Sequence, residues 1–218
     1  MGCGKSSVGR LVASRLGCAF TDLDEAVEAA QGRSVARIFA EDGEAGFRAA
    51  EVAALRAVIQ GEAPVIPSEA EESEISPRAS LGRNDKEDAS PRHSGLDQES
   101  VTVLALGGGT LTTAEARKLV AKETRCVYLR ASVDTLVRNL SCYDSYEAGS
   151  EDGRHDSGRV RPLLEGADDE ASLRSRIETL MAERSATYEE AADVIIDIDG
   201  LSTEQIAYKA ITTSRRLQ

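Results

Sequence analysis

Short apolar segments of strand length alternate with amphipathic helical segments along most of this chain, and that order constrains the fold more than any other feature. Residues 5–16 repeat apolar side chains at helical spacing and end at Gly17, whereas 101–106 form a short continuous apolar run. This alternation predicts an α/β fold in which helices cover both faces of a parallel sheet. The predicted strands are 19–21, 101–106, 126–129 and 193–197, and the predicted helices are 5–16, 24–31, 34–41, 44–60, 112–121, 132–140, 170–190 and 202–215.

Two polar stretches interrupt this pattern. Residues 64–100 contain four of the five prolines, nine acidic and four basic side chains, and no aromatic residue. A segment of this composition buries too little apolar surface to offset its chain entropy, so we predict a disordered insertion. Residues 141–158 are polar, contain three glycines and lack a helical period, which predicts a loop. We therefore expect a single domain over 1–218, with an insertion at 64–100 and a lid with an extended loop at 139–160.

The composition argues against several classes of function. Asp and Glu number 38 against 26 Lys and Arg, and the resulting net charge of −12 disfavours binding to a phosphate backbone. No apolar run approaches the length of a membrane span, and no secretory signal is present. We expect a cytoplasmic monomer that binds neither nucleic acid nor membrane. The four cysteines form no CxxC pair and are interpreted as reduced thiols: Cys3, Cys18, Cys126 and Cys142.

Both histidines lie in the two polar stretches, His93 in the first and His155 in the second. The predicted globular part of the chain therefore has no histidine. This excludes a histidine general base, a Ser-His-Asp or Cys-His arrangement and a histidine-ligated metal from that part.

The sequence GCGKSS at residues 2–7 opens the first predicted helix. It matches the second half of the phosphate-loop motif G-x-x-x-x-G-K-[ST], in which backbone N–H groups at a helix start surround phosphate oxygens. Lys5 would neutralise the β- and γ-phosphates, and Ser6 would hold Mg²⁺. The same residues also fit an N-myristoylation signal. A lipid anchor normally precedes a flexible basic arm, whereas here a helix begins at once in an acidic chain, so the phosphate loop is favoured.

Carboxylates, an arginine and glycines follow the predicted strands. Asp22 and Asp24 come after the first strand, where one can hold metal-bound water and the other can accept a hydroxyl proton; a helix cap is the alternative. Arg48 and Glu51 predict either a surface ion pair or an anion clamp held in place by Glu51. The glycines at 107–109 directly after a strand allow a ligand to approach the backbone closely.

Two further arginines are candidates. Arg161 closes the second polar stretch, where a lid arginine could neutralise phosphoryl charge or simply form a basic turn. Arg184 lies on the predicted helix 170–190, where an isolated arginine is usually solvated.

Taken in order, these motifs resemble the shikimate kinase family over residues 1–60 and 101–215. The resemblance implies a P-loop NTPase-like parallel sheet with helices on both faces, and ATP-dependent phosphorylation of the 3-hydroxyl of shikimate with Mg²⁺. It implies that the ATP phosphates contact Gly2, Cys3, Gly4, Lys5, Ser6, Ser7 and Arg161, and that the metal contacts Ser6 and Asp22. It implies that shikimate contacts Asp24, Arg48, Gly107, Gly108, Gly109 and Arg184. The implied catalytic residues are Lys5, Asp24 as the base, and Arg161.

The chain departs from the family pattern because no strand precedes the phosphate loop. In the P-loop fold that strand lies in the middle of the sheet, between the strands that end near Leu106 and Leu129. We therefore expect a sheet that lacks its first, central strand, either because the gene model starts at an internal Met or because the protein is defective. The rival functions are another small P-loop kinase, such as a gluconate kinase, and a non-catalytic remnant of a kinase.

Overall fold

The computed structural model describes residues 2–62, 101–147 and 169–215, in which helices and strands alternate as predicted. The described residues do not include the predicted insertion 64–100, most of the predicted lid at 139–160, or Arg161. The strands are β1 (Ala19–Asp22), β2 (Thr102–Ala105), β3 (Val127–Arg130) and β4 (Val194–Asp197). The helices are α1 (Lys5–Leu16), α2 (Leu23–Gln31), α3 (Val35–Ile59), α4 (Ala114–Glu123), α5 (Val133–Glu147), α6 (Glu170–Ala191) and α7 (Thr203–Arg215), with a 3₁₀ turn at Thr110–Thr112 before α4.

The four strands form two parallel pairs. β1 pairs with β2, with Ala19 opposite Thr102, and β3 pairs with β4, with Val127 opposite Val194. Among the described residues no strand joins β2 to β3, which agrees with the expected sheet that lacks a strand between them. The carboxyl ends of β1 and β2 lie side by side, so the residues that follow these strands meet at one edge.

Two clusters of buried side chains hold the helices against the strands. The first joins α1, α5, α6 and α7 to β3 and β4, and the second joins α2, α3 and α4 around β2. The first includes Cys3, Val8, Leu129, Leu140, Ile177 and Ile196, and the second includes Leu23, Ile38, Phe47, Leu55 and Val120. The phosphate loop is anchored in the first cluster, whereas the elements that carry Asp24 and Arg48 are anchored in the second.

The long helix α3 is broken at Gly43. This glycine has φ 69° and ψ −175°, a left-handed conformation that an L side chain rarely adopts. The two helices predicted at 34–41 and 44–60 are therefore one element with a kink between them. The kink sets the direction of the second half of α3, which carries Arg48 and Glu51.

Helix α5 corrects one boundary of the predicted lid. Residues 141–158 were predicted as loop, but α5 continues to Glu147. The physical reason is that no glycine or proline occurs between Val133 and Gly149, so no helix-breaking residue stops the helix from extending once it has formed.

Within the described ranges, none of the helices combines the length and the apolar composition that crossing a membrane requires.

Candidate active site

The phosphate loop at residues 2–7 has the backbone geometry that its glycines permit. Gly2 and Gly4 have φ values of 66° and 70°, and Gly4 is the N-cap of α1 without a side-chain capping bond. The first N–H groups of α1 therefore have no side-chain cap among the described residues, and uncapped N–H groups at a helix start are the donors that anion binding uses. Asn139 on α5 donates its Nδ2 to the Gly2 carbonyl at 2.8 Å, which fixes the loop against that helix.

Lys5 sits in an electrostatic setting that keeps it charged. Burial lowers the pKa of its ammonium group, but the nearby Cys3 thiol and the carboxylates of Asp24 and Asp22 outweigh burial and leave the pKa raised. Burial raises the pKa of Cys3, but the Lys5 charge and backbone hydrogen bonds together outweigh burial and leave that pKa lowered. Lys5 is therefore a cation beside the loop.

Ser6 and Asp22 are brought together by the fold. The Ser6 hydroxyl donates to Asp22 Oδ2 at 2.7 Å, and Asp22 Oδ1 accepts the Asp24 N–H at 3.1 Å as the N-cap of α2. Asp22 is buried, so its orientation is fixed by both contacts. In the described part of the chain, no three His, Cys, Asp or Glu side chains gather as a metal site. A hydroxyl beside one carboxylate suits a hard cation that keeps most of its water and phosphate ligands.

The glycine turn, residues 107–109, follows β2 and is the point where the acidic side chains meet. A Cβ atom on Gly107 would lie 2.9 Å from Glu51 Oε1, 3.0 Å from Asp24 Oδ1 and 3.2 Å from Thr110 Oγ1. Three oxygens thus occupy the space that any larger residue would need. The absence of a side chain at Gly107 lets Asp24 from α2 and Glu51 from α3 approach the same stretch of backbone.

Arg48 packs on the other side of this turn. Its Nη1 donates to Glu51 Oε2 at 2.7 Å, and its side chain is 11% exposed. A Cβ atom on Gly109 would lie only 2.2 Å from Arg48 Nη2 and 2.6 Å from its Cζ, so the guanidinium group lies directly against the glycine. The Nε of Arg48 is buried and has no hydrogen-bond partner within the described residues. That donor is available to an anionic group.

Helix α6 holds the turn from a third direction. Arg184 Nη1 donates to the Gly108 carbonyl at 3.1 Å, and the Tyr188 hydroxyl donates to the same oxygen. The two side chains are four residues apart on one helix face. Arg184 is partly buried and lies at the turn, so it is not the solvated helical arginine that was the alternative.

The structure places six of the predicted site residues at the glycine turn, namely Asp24, Arg48, Gly107, Gly108, Gly109 and Arg184, and it leaves Arg161 outside the described residues. Sequence reasoning missed the contact of Thr110 and gave Tyr188 no role. A threonine directly after three glycines was the available signal for Thr110. The side chains and backbone assembled here are Lys5, Ser6, Asp22, Asp24, Arg48, Gly107, Gly108, Gly109 and Arg184.

Sequence comparison links this arrangement to known enzymes. A profile of the family described as "Shikimate kinase" matches residues 1–68 and 93–215, and the unmatched internal residues 69–92 fall inside the predicted insertion. The chain is 32% identical over 211 residues to a shikimate kinase of Halorhodospira halophila, covering 97% of this chain and 87% of that one. It is 31% identical over 211 residues to a shikimate kinase of Streptomyces coelicolor, covering 97% and 89% of the two chains.

Comparison of folds agrees with the sequence relatives. The shikimate kinase from Acinetobacter baumannii, solved in complex with shikimate, superposes with a TM-score of 0.68 at 23% identity, covering 100% of this chain and 91% of that one. This likeness shows the P-loop NTPase fold. The profile match over most of the chain, together with relatives above 30% identity over nearly their whole length, shows that the chain belongs to the shikimate kinase family.

Proposed function

We propose that this chain transfers the γ-phosphoryl group of ATP to the 3-hydroxyl of shikimate. The observation that carries the proposal is the glycine turn, where Asp24, Arg48 and Arg184 converge from three helices beside the phosphate loop. A cyclic hydroxy acid needs cations for its carboxylate and a base for its hydroxyl, and this turn provides both. The gluconate kinase alternative loses support because the family match is to shikimate kinases.

The acceptor carboxylate is held by Arg48 and Arg184 in this proposal. Arg48 offers its buried Nε, which has no hydrogen-bond partner among the described residues, and Arg184 already reaches the Gly108 carbonyl at the same turn. Charge-assisted bonds to a carboxylate are among the strongest that proteins make, and arginine forms them with a fixed geometry. The 107–109 backbone fits against the substrate because glycines leave room there.

In this proposal residues 2–7 hold the donor phosphates with Lys5 beside the β- and γ-phosphates, and Arg161 keeps its predicted role of neutralising phosphoryl charge. Ser6 and Asp22 fit Mg²⁺, because their oxygens lie 2.7 Å apart and a hard cation needs few protein ligands when phosphates and water complete its shell. When bound there, Mg²⁺ would neutralise charge on the β- and γ-phosphates. Asp22 has its second oxygen fixed by the Asp24 N–H, so the metal ligand and the base are held in one local structure.

Transfer then depends on positioning and charge. The 3-hydroxyl oxygen forms a bond to the γ-phosphorus while the bond from that phosphorus to the bridging oxygen breaks and its electron pair leaves with ADP. The hydroxyl proton passes to Asp24, whose carboxylate lies against Gly107. Lys5 stays positively charged throughout because nearby anions raise its pKa, and it compensates the charge that develops on the phosphates. No histidine is needed for any step.

The test is turnover of purified protein with ATP, Mg²⁺ and shikimate, with gluconate as a competing acceptor. We expect ADP release only with shikimate, and Asp24→Asn should abolish it while ATP binding is retained. Binding of ATP and shikimate without turnover would favour the non-catalytic remnant. We also propose that the protein is a cytoplasmic monomer. Size-exclusion chromatography with light scattering tests the oligomeric state.

A further inference from the structure

The geometry points to Thr110 as a positioning residue of the acceptor site, one whose hydroxyl orients Glu51 and through it the guanidinium group of Arg48. This inference rests on the proposed function, since it assigns Arg48 to the acceptor. It adds a residue for which the sequence analysis found no role.

Thr110 reaches Glu51 through a short buried hydrogen bond. Its Oγ1 donates to Glu51 Oε1 at 2.6 Å, and both side chains are almost completely buried, with Glu51 1% exposed. The same hydroxyl lies 3.1 Å from the Gly107 carbonyl. A threonine hydroxyl has one proton, and the shorter contact to the charged acceptor is the stronger of the two.

The two oxygens of Glu51 have separate partners. Oε1 accepts from Thr110, and Oε2 accepts from Arg48 Nη1 at 2.7 Å. The plane of the carboxylate is therefore fixed at both ends. Thr110 and Glu51 are 59 residues apart in sequence, so this contact ties α3 to the turn after β2. The two halves of the acceptor site, Arg48 and the glycine turn, keep their relative position through this tie.

Without the hydroxyl, Glu51 Oε1 would be a buried anion lacking its donor, which is costly enough that the site must rearrange. The nearest available donor group is the guanidinium of Arg48, which can take both carboxylate oxygens. That rearrangement would pull Arg48 away from the face of Gly109, where it now lies. We therefore expect the affinity for the acceptor carboxylate to fall while the phosphate loop is unaffected.

The test compares three variants by steady-state kinetics. Thr110→Val removes the hydroxyl with little change in shape, and Thr110→Ser keeps it. Thr112→Val is the matched control, because Thr112 is exposed in the same turn and its hydroxyl donates to the Gly109 carbonyl at 2.7 Å, not to Glu51. We expect Thr110→Val to raise the KM for shikimate about tenfold, with KM for ATP within twofold of wild type. Thr110→Ser and Thr112→Val should stay within twofold for both.

Several results overturn the inference. They are an unchanged shikimate KM in Thr110→Val, an equal rise in both KM values, or an equal loss in Thr110→Ser. If Thr110→Val does not fold, Thr110→Ala carries the same expectation, because it removes the hydroxyl without adding bulk. Melting temperatures of all variants show whether a kinetic change reflects folding instead.

A substrate-free measurement separates this inference from the proposed function. Rotation about the Cζ–Nη1 bond of Arg48 is slowed while Nη1 is held by Glu51, and ¹⁵N–¹H NMR of the guanidinium group reports that rate. Thr110→Val should slow this rotation severalfold, because both carboxylate oxygens of Glu51 then hold the guanidinium group, and Thr110→Ser should leave it unchanged. If the wild-type chain fails to phosphorylate shikimate, the proposed function fails. The NMR comparison still decides the role of Thr110, and an unchanged rotation rate in Thr110→Val refutes it.

Discussion

Replacing Gly109 by alanine tests how the glycine turn positions Arg48. Gly109 has φ −113°, which any residue adopts, so the substitution introduces a side chain without backbone strain. The added Cβ would lie 2.2 Å from Arg48 Nη2. Non-bonded heavy atoms approach to about 3.5 Å, so the guanidinium group must move by about 1.3 Å.

That displacement is large on the scale of a hydrogen bond. Arg48 Nη1 lies 2.7 Å from Glu51 Oε2, and the displacement takes the guanidinium group out of the position in which Glu51 holds it. A guanidinium group displaced in this way loses its charge-assisted bond to the acceptor carboxylate. Such bonds contribute about 1.5–3 kcal/mol, which corresponds to a roughly 10- to 150-fold rise in the KM for shikimate. The clash is with the end of a flexible side chain, so the melting temperature should fall by only a few degrees.

The assay is ADP release at varied shikimate and, separately, at varied ATP. Gly61→Ala is the control, because Gly61 is exposed, has φ 71° and has no atom within 4 Å of an added Cβ. It costs about 1–2 kcal/mol of backbone strain far from the site and should leave both KM values unchanged. If Gly109→Ala keeps the wild-type KM for shikimate, or if its KM for ATP rises in parallel, the placement of Arg48 against the turn is refuted.

Three further predictions concern the donor site and the pH dependence of stability. Lys5→Ala should lower kcat by orders of magnitude in the coupled assay, since its charge beside the phosphates is lost; near-normal kcat would contradict this. Asp22→Asn keeps the cap of α2 but removes a metal-ligand charge, so Mn²⁺ binding with ADP, followed by electron paramagnetic resonance, should weaken at least tenfold. Burial, together with the nearby Asp193 charge, raises the pKa of Cys126 to about 11 from 9.0. Folded protein thus keeps a proton that the unfolded chain releases, and between pH 9 and 11 stability should fall by roughly 2–3 kcal/mol. The drop in the urea unfolding midpoint from pH 8 to pH 10.5 should be smaller in Cys126→Ser than in the wild type. Equal drops in the two proteins would contradict this prediction.

The local parts of this site were predictable from sequence. The phosphate loop, the pair Asp22 and Asp24, and the glycine turn each depend on a few consecutive residues whose backbone preferences are strong. The break at Gly43 was visible as a boundary between two predicted helices for the same reason. Alternation of strands and helices then placed these segments at one edge of a parallel sheet.

The contacts of the site that could not be predicted from the sequence depend on tertiary packing. The Thr110–Glu51 bond joins residues 59 apart, and only the relative placement of α3 and the turn after β2 creates it. The shared acceptor of Arg184 and Tyr188 likewise needs α6 to lie over Gly108. The extent of α5 was wrong because a polar stretch without helical periodicity was assigned to a loop, although helix extension needs only the absence of breakers.

The division of the interior into two clusters has a consequence for how substitutions act on the reaction. The phosphate loop is anchored in one cluster and the helix that carries Arg48 in the other, and the Ser6–Asp22 bond is one of the links across the boundary. A substitution inside either cluster changes mainly the free energy of unfolding. A substitution at the boundary changes the alignment of donor and acceptor, where a displacement of 1 Å can cost about 100-fold in rate. Variants with normal melting temperatures and poor turnover should therefore map to the boundary between the clusters.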